Sequence, residues 1–349
     1  NTGENLMRAA VYTSKDEPLA VRDVEQPHPN AGEVGLRVAR VGICGSDLHV
    51  KEAGNFPGGI VFGHEFAGVI DELGEGVGDW RVGDRVVSLP IHHCGQCEAC
   101  LQDKIGLCER IVFTGYSLDH SGAYAEHTVV PTHSLHKVPD GVTFDNAAMV
   151  EPLSVSRRAV SRTPIGKDSV VLVIGTGPIG AGVVQFAKIA GAAKVIVSEM
   201  SEERRDLAMA MGADAAIDPS AEPLLERIEQ IAGKRPDVIF ECVGVPGLIQ
   251  QAIEIAAYEA TIMVVGVCFD QDHFHPNMAV KRELTLGFSN CYMHEDFAAV
   301  LDAMASGALD PSAMHTSTIG LDEVPEAFEK LMTTKTGCKT LIDPSGGAL

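Results

Sequence analysis

The chain has 349 residues, about two domains' worth at roughly 150 residues each, and 27 Lys+Arg against 48 Asp+Glu give a formal net charge of −21. A surface that acidic repels phosphates and argues against nucleic acid or anionic membrane as a partner. No run approaches the ~18 consecutive apolar residues of a membrane span, and no basic-then-apolar start resembles a signal peptide.

Residues 1–6 precede Met7 and read as a remnant outside the fold. From there to residue 153 come short β-rich runs separated by Gly, Pro and Asp turns: 8–13, 33–44, 63–74, 84–90 and 123–130. Their alternation predicts a mostly antiparallel, barrel-like domain over residues 7–153. The texture then changes. Residues 169–175 (SVVLVIG) form the unbroken apolar run of a strand buried on both faces. A helical stretch at 178–192, a strand at 194–199 and a charged helix at 201–213 follow, then strands at 237–244, 260–267 and 283–290 with a further helical stretch between the first two. Alternating strand and helix predicts a doubly wound parallel sheet over residues 154–288. Helices at 296–309 and 324–334 and a last strand at 338–343 leave residues 289–349 to complete the first domain.

The first strand of the second domain runs into Gly175-Thr176-Gly177-Pro178-Ile179-Gly180. In a GxGxxG turn the first glycine permits the tight bend, the second lets the backbone approach a pyrophosphate, and the third allows close helix–strand packing. Glu199 closes the next strand, where a carboxylate binds the ribose hydroxyls of NAD and repels the 2′-phosphate of NADP. Arg204 lies along the adenosine or is an exposed helix charge.

The nine cysteines are unevenly spread. Cys94, Cys97, Cys100 and Cys108 fall within fifteen residues, a density that points to metal in a reducing, cytoplasmic setting and not to a disulfide framework. Four thiolates suit a closed tetrahedral structural zinc, and on spacing alone they also suit an iron–sulfur cluster. Cys44 stands in GICGSDLH (42–49), and Gly63-His64-Glu65 follows about twenty residues later. Thiolate, imidazole and carboxylate are the ligand types of an open catalytic zinc site. Glu151, in an apolar run at the domain junction, must find a cation or hydrogen bonds. Cys242, Cys268, Cys291 and Cys338 lie in or beside strands and read as ordinary buried thiols.

Taken in order, GICGSDLH, GHE, the four-cysteine lobe, EPLSV (151–155) and GTGPIG (175–180) resemble the zinc-dependent medium-chain dehydrogenase/reductase (alcohol dehydrogenase) family, closest to the sorbitol and 2,3-butanediol dehydrogenase branch. The resemblance covers the chain from Met7. It implies a GroES-like antiparallel β catalytic domain, a Rossmann coenzyme domain, two zinc ions per chain, NAD rather than NADP, and a homodimer or homotetramer. By that resemblance Cys44, His64 and Glu65 are catalytic-zinc ligands, Glu151 binds the zinc directly or through a water, and Asp47 orients a ligating histidine. Ser46 and His49 resemble the proton relay that runs through the coenzyme ribose to solvent. Pro178, Ile179, Glu199, Arg204 and Val265-Gly266-Val267 fall where NAD is contacted. The strands at 260–267 and 283–290 are the candidate subunit interface.

Two departures bear on substrate. A tyrosine follows the relay histidine in the sorbitol branch, where this chain has Val50. An arginine there precedes the late-strand aromatic, where this chain has Gly287 before Phe288. A site without those polar partners gains little from binding several hydroxyls, so the expected substrate is a secondary alcohol or diol and its ketone. The competing readings are a sorbitol-type polyol dehydrogenase, a zinc-free quinone or enone reductase of the same superfamily, and a non-catalytic NAD-binding protein.

Overall fold

A computed structural model describes residues 6–334 and 337–349. Of the six residues expected to lie outside the fold, 1–5 fall outside the described residues, whereas Leu6 opens the first strand, opposite Glu25. Backbone proximity divides the chain into two compact units, Asn1–Glu151 with Met293–Ala305 and His315–Leu349, and Pro152–Tyr292 with Ser306–Met314.

The first unit is organised by strand Glu33–Gly42. Val34, Leu36 and Val38 alternate along it with no exposure and anchor a core that includes Phe62, Ile70, Tyr124 and Phe328. Three strands pair with it antiparallel: Glu65–Leu73, His127–Pro131 and Lys339–Asp343. The main path of this seven-stranded sheet runs His315–Gly320, Lys339–Asp343, Glu33–Gly42, Glu65–Leu73, Arg85–Ser88, Leu135–Lys137, with His127–Pro131 off the path, and only its first pair is parallel. Register does the functional work. Gly42 lies opposite Glu65 on one side and Leu341 on the other. The chain leaving Gly42 toward Cys44, the chain entering at His64 and the start of the C-terminal strand are thereby brought side by side. A Cβ at Gly42 would stand 2.2 Å from Glu65 Oε2 and 3.2 Å from Lys339 Cδ, so a side chain there would displace the Glu65 carboxylate.

Past Gly42 the backbone is extended at Cys44 and then turns into helix Gly45–Ala53. Asp47, in the first turn, accepts from the Cys44 amide at 3.3 Å and satisfies one of the donors a helix start leaves over. Gly54, at φ +67°, closes the helix.

The second unit is a six-stranded, wholly parallel sheet in the order Ala215–Ile217, Lys194–Ser198, Val170–Ile174, Val238–Glu241, Thr261–Val264, Thr285–Phe288. Every residue of Val170–Ile174 is buried, as an inner strand covered on both faces requires. In sequence order the strands run 3-2-1-4-5-6, the doubly wound arrangement that places a dinucleotide beside its first strand. No described helix is long and apolar enough to cross a membrane.

Candidate metal centres and coenzyme site

The three glycines of the 175–180 turn differ in their surroundings. Gly175 has φ +85°, and a Cβ there would also strike Val243 Cγ2 at 2.4 Å. Gly180 packs so closely that a Cβ would meet Gly175 O at 1.9 Å. At Gly177, the residue before helix Pro178–Ile189, nothing lies within 4 Å of that position. It is a cradle that a side chain would fill, where helix-start amides and a positive dipole end suit a phosphate. Glu199 stands beside it, accepting from Thr176 N at 2.9 Å and Ser201 N at 3.0 Å. The Arg204 carbonyl accepts from Thr176 Oγ1 at 3.2 Å. Val265 is buried at the end of its strand, while Val267 is 68 % exposed. These residues fit a dinucleotide.

The sulfurs of Cys94, Cys97, Cys100 and Cys108 lie within 4.8 Å of one another, with Cys97–Cys100 at 3.5 Å and Cys94–Cys100 at 3.9 Å. Tetrahedral zinc with bonds of about 2.3 Å puts its sulfurs roughly 3.8 Å apart. Backbone N–H groups already point at the cluster: the Cys94 and Arg110 amides donate to Cys108 Sγ. The Gln96 amide, more than any other group, draws the Cys94 thiol down to about 5. Burial and the neighbouring thiols push Cys100 up to about 12. Four sulfurs this close do not all ionise without a cation among them, and the set fits a closed structural zinc.

Among the described residues, Cys44, His64 and Glu65 form the other group whose ligand atoms lie within 4.8 Å of one another. His64 and Glu65 are almost wholly buried. Burial, then the Glu65 charge, raises the Cys44 thiol above its ordinary range. Burial opposes charge on His64 too, but Asp47 and Cys44 beside it outweigh that and hold its pKa well above the usual value. A divalent cation reverses the thiol's preference and takes the imidazole neutral. Soft sulfur, imidazole and carboxylate are a zinc donor set.

The surroundings of this group were only partly legible beforehand. Asp47 has no exposure. Its Oδ2 accepts from Tyr124 OH at 2.6 Å, and its Oδ1 is 3.0 Å from Tyr116 OH. His64 Nδ1 faces Asp47 Oδ1 at 3.3 Å but off the line of a hydrogen bond, so the approach is ionic. Lys339, 2 % exposed, grips both oxygens of Glu65 at 2.6 and 2.8 Å and donates to Ile43 O at 3.2 Å. Burial works against its charge, and Glu65 more than offsets that. Tyr116, Tyr124 and Lys339 escaped the sequence reading. A lysine at the head of the closing strand Lys339–Asp343 was the one available sign.

Residues 30–140 match the alcohol dehydrogenase GroES-like domain and residues 178–306 the zinc-binding dehydrogenase domain. The (R,R)-butanediol dehydrogenase of Bacillus subtilis (strain 168) is 32 % identical over 97 % of this chain and 100 % of its own. The chain belongs to the zinc-dependent medium-chain dehydrogenase/reductase family. It lies close to the sorbitol and butanediol dehydrogenase branch, and it is an oxidoreductase of the zinc-dependent alcohol dehydrogenase kind. Among solved structures, a zinc-binding dehydrogenase of Sinorhizobium meliloti 1021 bound to NADP superposes with TM-score 0.91 at 30 % identity, covering 97 % of this chain and 100 % of that one. The rspB dehydrogenase of Escherichia coli CFT073, complexed with NADH, gives 0.89 at 32 % over 97 % and 99 %.

Within this dehydrogenase the remaining expected residues are placed as follows. Ser46 joins the Cys44–His64–Glu65 group, its hydroxyl 3.1 Å from Cys44 Sγ and 3.5 Å from His64 Nε2. His49 sits one turn further along the same helix, more than half exposed, with Nδ1 3.8 Å from Glu52. Glu151, 8 % exposed in helix Val150–Ser161, does not join the Cys44–His64–Glu65 group. Val50 packs against the core of its own unit, and Phe288 is 60 % exposed. Burial pushes the Cys242 thiol well above its ordinary range, as expected of a buried thiol. Cys268, Cys291 and Cys338 are part-exposed, contrary to that expectation. They sit at strand ends and in loops, where a side chain is covered on one side only.

Proposed function

We propose that the protein oxidises a secondary alcohol or diol to its ketone, reversibly, with NAD as hydride acceptor. The observation that carries this is the convergence of Cys44, His64 and Glu65 with a hydroxyl, that of Ser46, 3.1 Å from Cys44 Sγ. Cys44, His64 and Glu65 would hold a catalytic zinc and the four-cysteine lobe a structural one. The catalytic ion, when bound, supplies a Lewis acid that lowers the pKa of an alcohol. Glu151 remains the alternative carboxylate, and the double grip of Lys339 on Glu65 supports a carboxylate held near the ion without being committed to it. Asp47, fixed by two tyrosines, keeps His64 oriented. Ser46 takes the substrate proton, and His49, exposed on the same helix, passes it toward solvent.

Glu199 supports NAD: an anion beside the pyrophosphate cradle repels a 2′-phosphate. The S. meliloti relative holds NADP and the E. coli relative NADH, so the choice rests on this carboxylate and not on the fold. Val50 and Gly287 support a pocket less polar than a sugar alcohol needs. A four-cysteine lobe that suits metal more than a disulfide framework supports a reducing cytoplasm. Thr285–Phe288 ends the parallel sheet and, with Val280 and Phe288 exposed, supports a dimer or tetramer joined there, which light scattering would size.

The test is kcat/KM for sorbitol, xylitol, 2,3-butanediol and simple secondary alcohols, each with NAD and with NADP. The reading expects butanediol or a simple alcohol with NAD to lead by tenfold or more. Sorbitol or xylitol in the lead would overturn the pocket argument, and NADP in the lead would overturn the role of Glu199.

A further inference from the structure

The Tyr116 side chain is fixed at both ends. Its ring lies among Phe56, Phe62 and Phe113 at centroid distances of 5.9–6.3 Å and edge-on to His64 at 5.4 Å. Gly115, at φ +88°, lets the preceding backbone press against Gly63, where a Cβ would stand 3.1 Å from its nitrogen. The hydroxyl so placed is 2.7 Å from Ser46 Oγ and 3.0 Å from Asp47 Oδ1.

A phenol carries one proton and cannot donate fully to both. Asp47 meets donors on both oxygens, Tyr124 OH and the Cys44 amide at Oδ2 and Tyr116 OH at Oδ1. It therefore only accepts, whereas Ser46 both donates and accepts. The same heavy atoms thus support two arrangements of protons. In one, Tyr116 donates to Ser46, and the Ser46 proton points to Cys44 Sγ at 3.1 Å. In the other, Tyr116 donates to Asp47, Ser46 donates to the Tyr116 oxygen, and the lone pairs of Ser46 are turned toward the metal centre.

Resting on the dehydrogenase reading above, we infer that Tyr116 is a positioning residue for Ser46. Its shared proton lets the serine hydroxyl change from acceptor to donor without any heavy atom moving. In alcohol oxidation Ser46 accepts the substrate proton as its own passes on toward His49, and in ketone reduction it donates its proton and takes one back from that side, so the hydroxyl stays neutral throughout. Rotation of two O–H bonds exchanges the two arrangements. The hydrogen bond that Tyr116 makes with Asp47 in the second arrangement recovers what Ser46 gives up by turning from Cys44, and Asp47 keeps its bond from Tyr124 in both.

Tyr116→Phe removes the hydroxyl and leaves the ring in its aromatic surroundings. Expected are a ten- to thirtyfold fall in kcat for alcohol oxidation and a solvent deuterium isotope effect on kcat that rises as the proton step becomes limiting. Zinc affinity, measured by competition with a chelator, and the NAD dissociation constant should stay within about twofold of the unaltered protein. In a Ser46→Ala background the same change should have no further effect, because the tyrosine acts through that serine. Unchanged kcat and isotope effect, a matching loss of zinc affinity, or full additivity with Ser46→Ala would each overturn the proposal while the dehydrogenase reading stands. No turnover of any alcohol by the unaltered protein would overturn that reading and this proposal together.

Discussion

The two groups proposed to hold metal are built on opposite plans. The four cysteines of the lobe come from fifteen consecutive residues and are held by amides of their own loop, with two of the four part-exposed. Cys44, His64 and Glu65 come from the ends of two neighbouring strands, and their support is remote: Lys339 reaches Glu65 across 274 residues of sequence and Tyr124 reaches Asp47 across 77. A local loop can saturate an ion and thereby stiffen itself. A site assembled by strand register can instead hold a buried thiol, imidazole and carboxylate with room for chemistry, because the sheet carries the cost of keeping them there.

If that contrast is right, cysteine replacements should separate cleanly. Cys44→Ser should lower kcat by more than about a thousandfold and remove one of two zinc ions per chain, while the melting temperature hardly moves. Cys97→Ser should remove the other ion and show itself as lost thermal stability, with kcat of the folded fraction kept within a few fold. Elemental analysis, calorimetry and steady-state kinetics on the two variants decide it, and the reverse pattern would exchange the two roles.

Next in size is the remote support. Lys339→Met leaves the Glu65 charge buried and unpaired, which costs about 3–5 kcal/mol in urea denaturation. Adding Glu65→Gln should recover part of the loss. Recovery of none would mean that Lys339 acts by packing alone.

A smaller effect concerns the coenzyme loop. Glu199→Ala should cut the NAD-over-NADP ratio of kcat/KM by about tenfold, worth roughly 1.4 kcal/mol. A ratio unmoved by the change would show that selectivity lies elsewhere.

The smallest effect guards the comparison against acid artefacts. Burial, and His294 at 3.2 Å, push His136 down to about 4, while the unfolded chain titrates it near 6.5. Between those values the unfolded state binds more protons. The stability this group contributes is therefore complete above about pH 6.5 and falls as pH drops toward 4. His136→Gln should flatten that slope by about 1 kcal/mol, allowing for partial exposure. Acid loss of activity that persists in the variant then belongs to the metal centres.

How much was legible follows from the same contrast. The lobe and the glycine turn could be read because their meaning is carried by spacing along the chain. The apolar run at 169–175 could be read because an inner parallel strand needs one. Strand His315–Gly320 could not, since it is largely exposed at a sheet edge and carries no apolar alternation. Ala20–Glu25 is likewise mostly uncovered. Tyr116, Tyr124 and Lys339 take their roles from register, which no single segment contains, and Asp47 could be assigned only through family resemblance.

The central claim is that turnover depends on an ion held at Cys44, His64 and Glu65. The most direct measurement is the rate of 2,3-butanediol oxidation with NAD in the native protein, after stripping by a chelator, and after zinc is returned. The account predicts loss on stripping and recovery with zinc. A rate that survives complete removal of metal would contradict it.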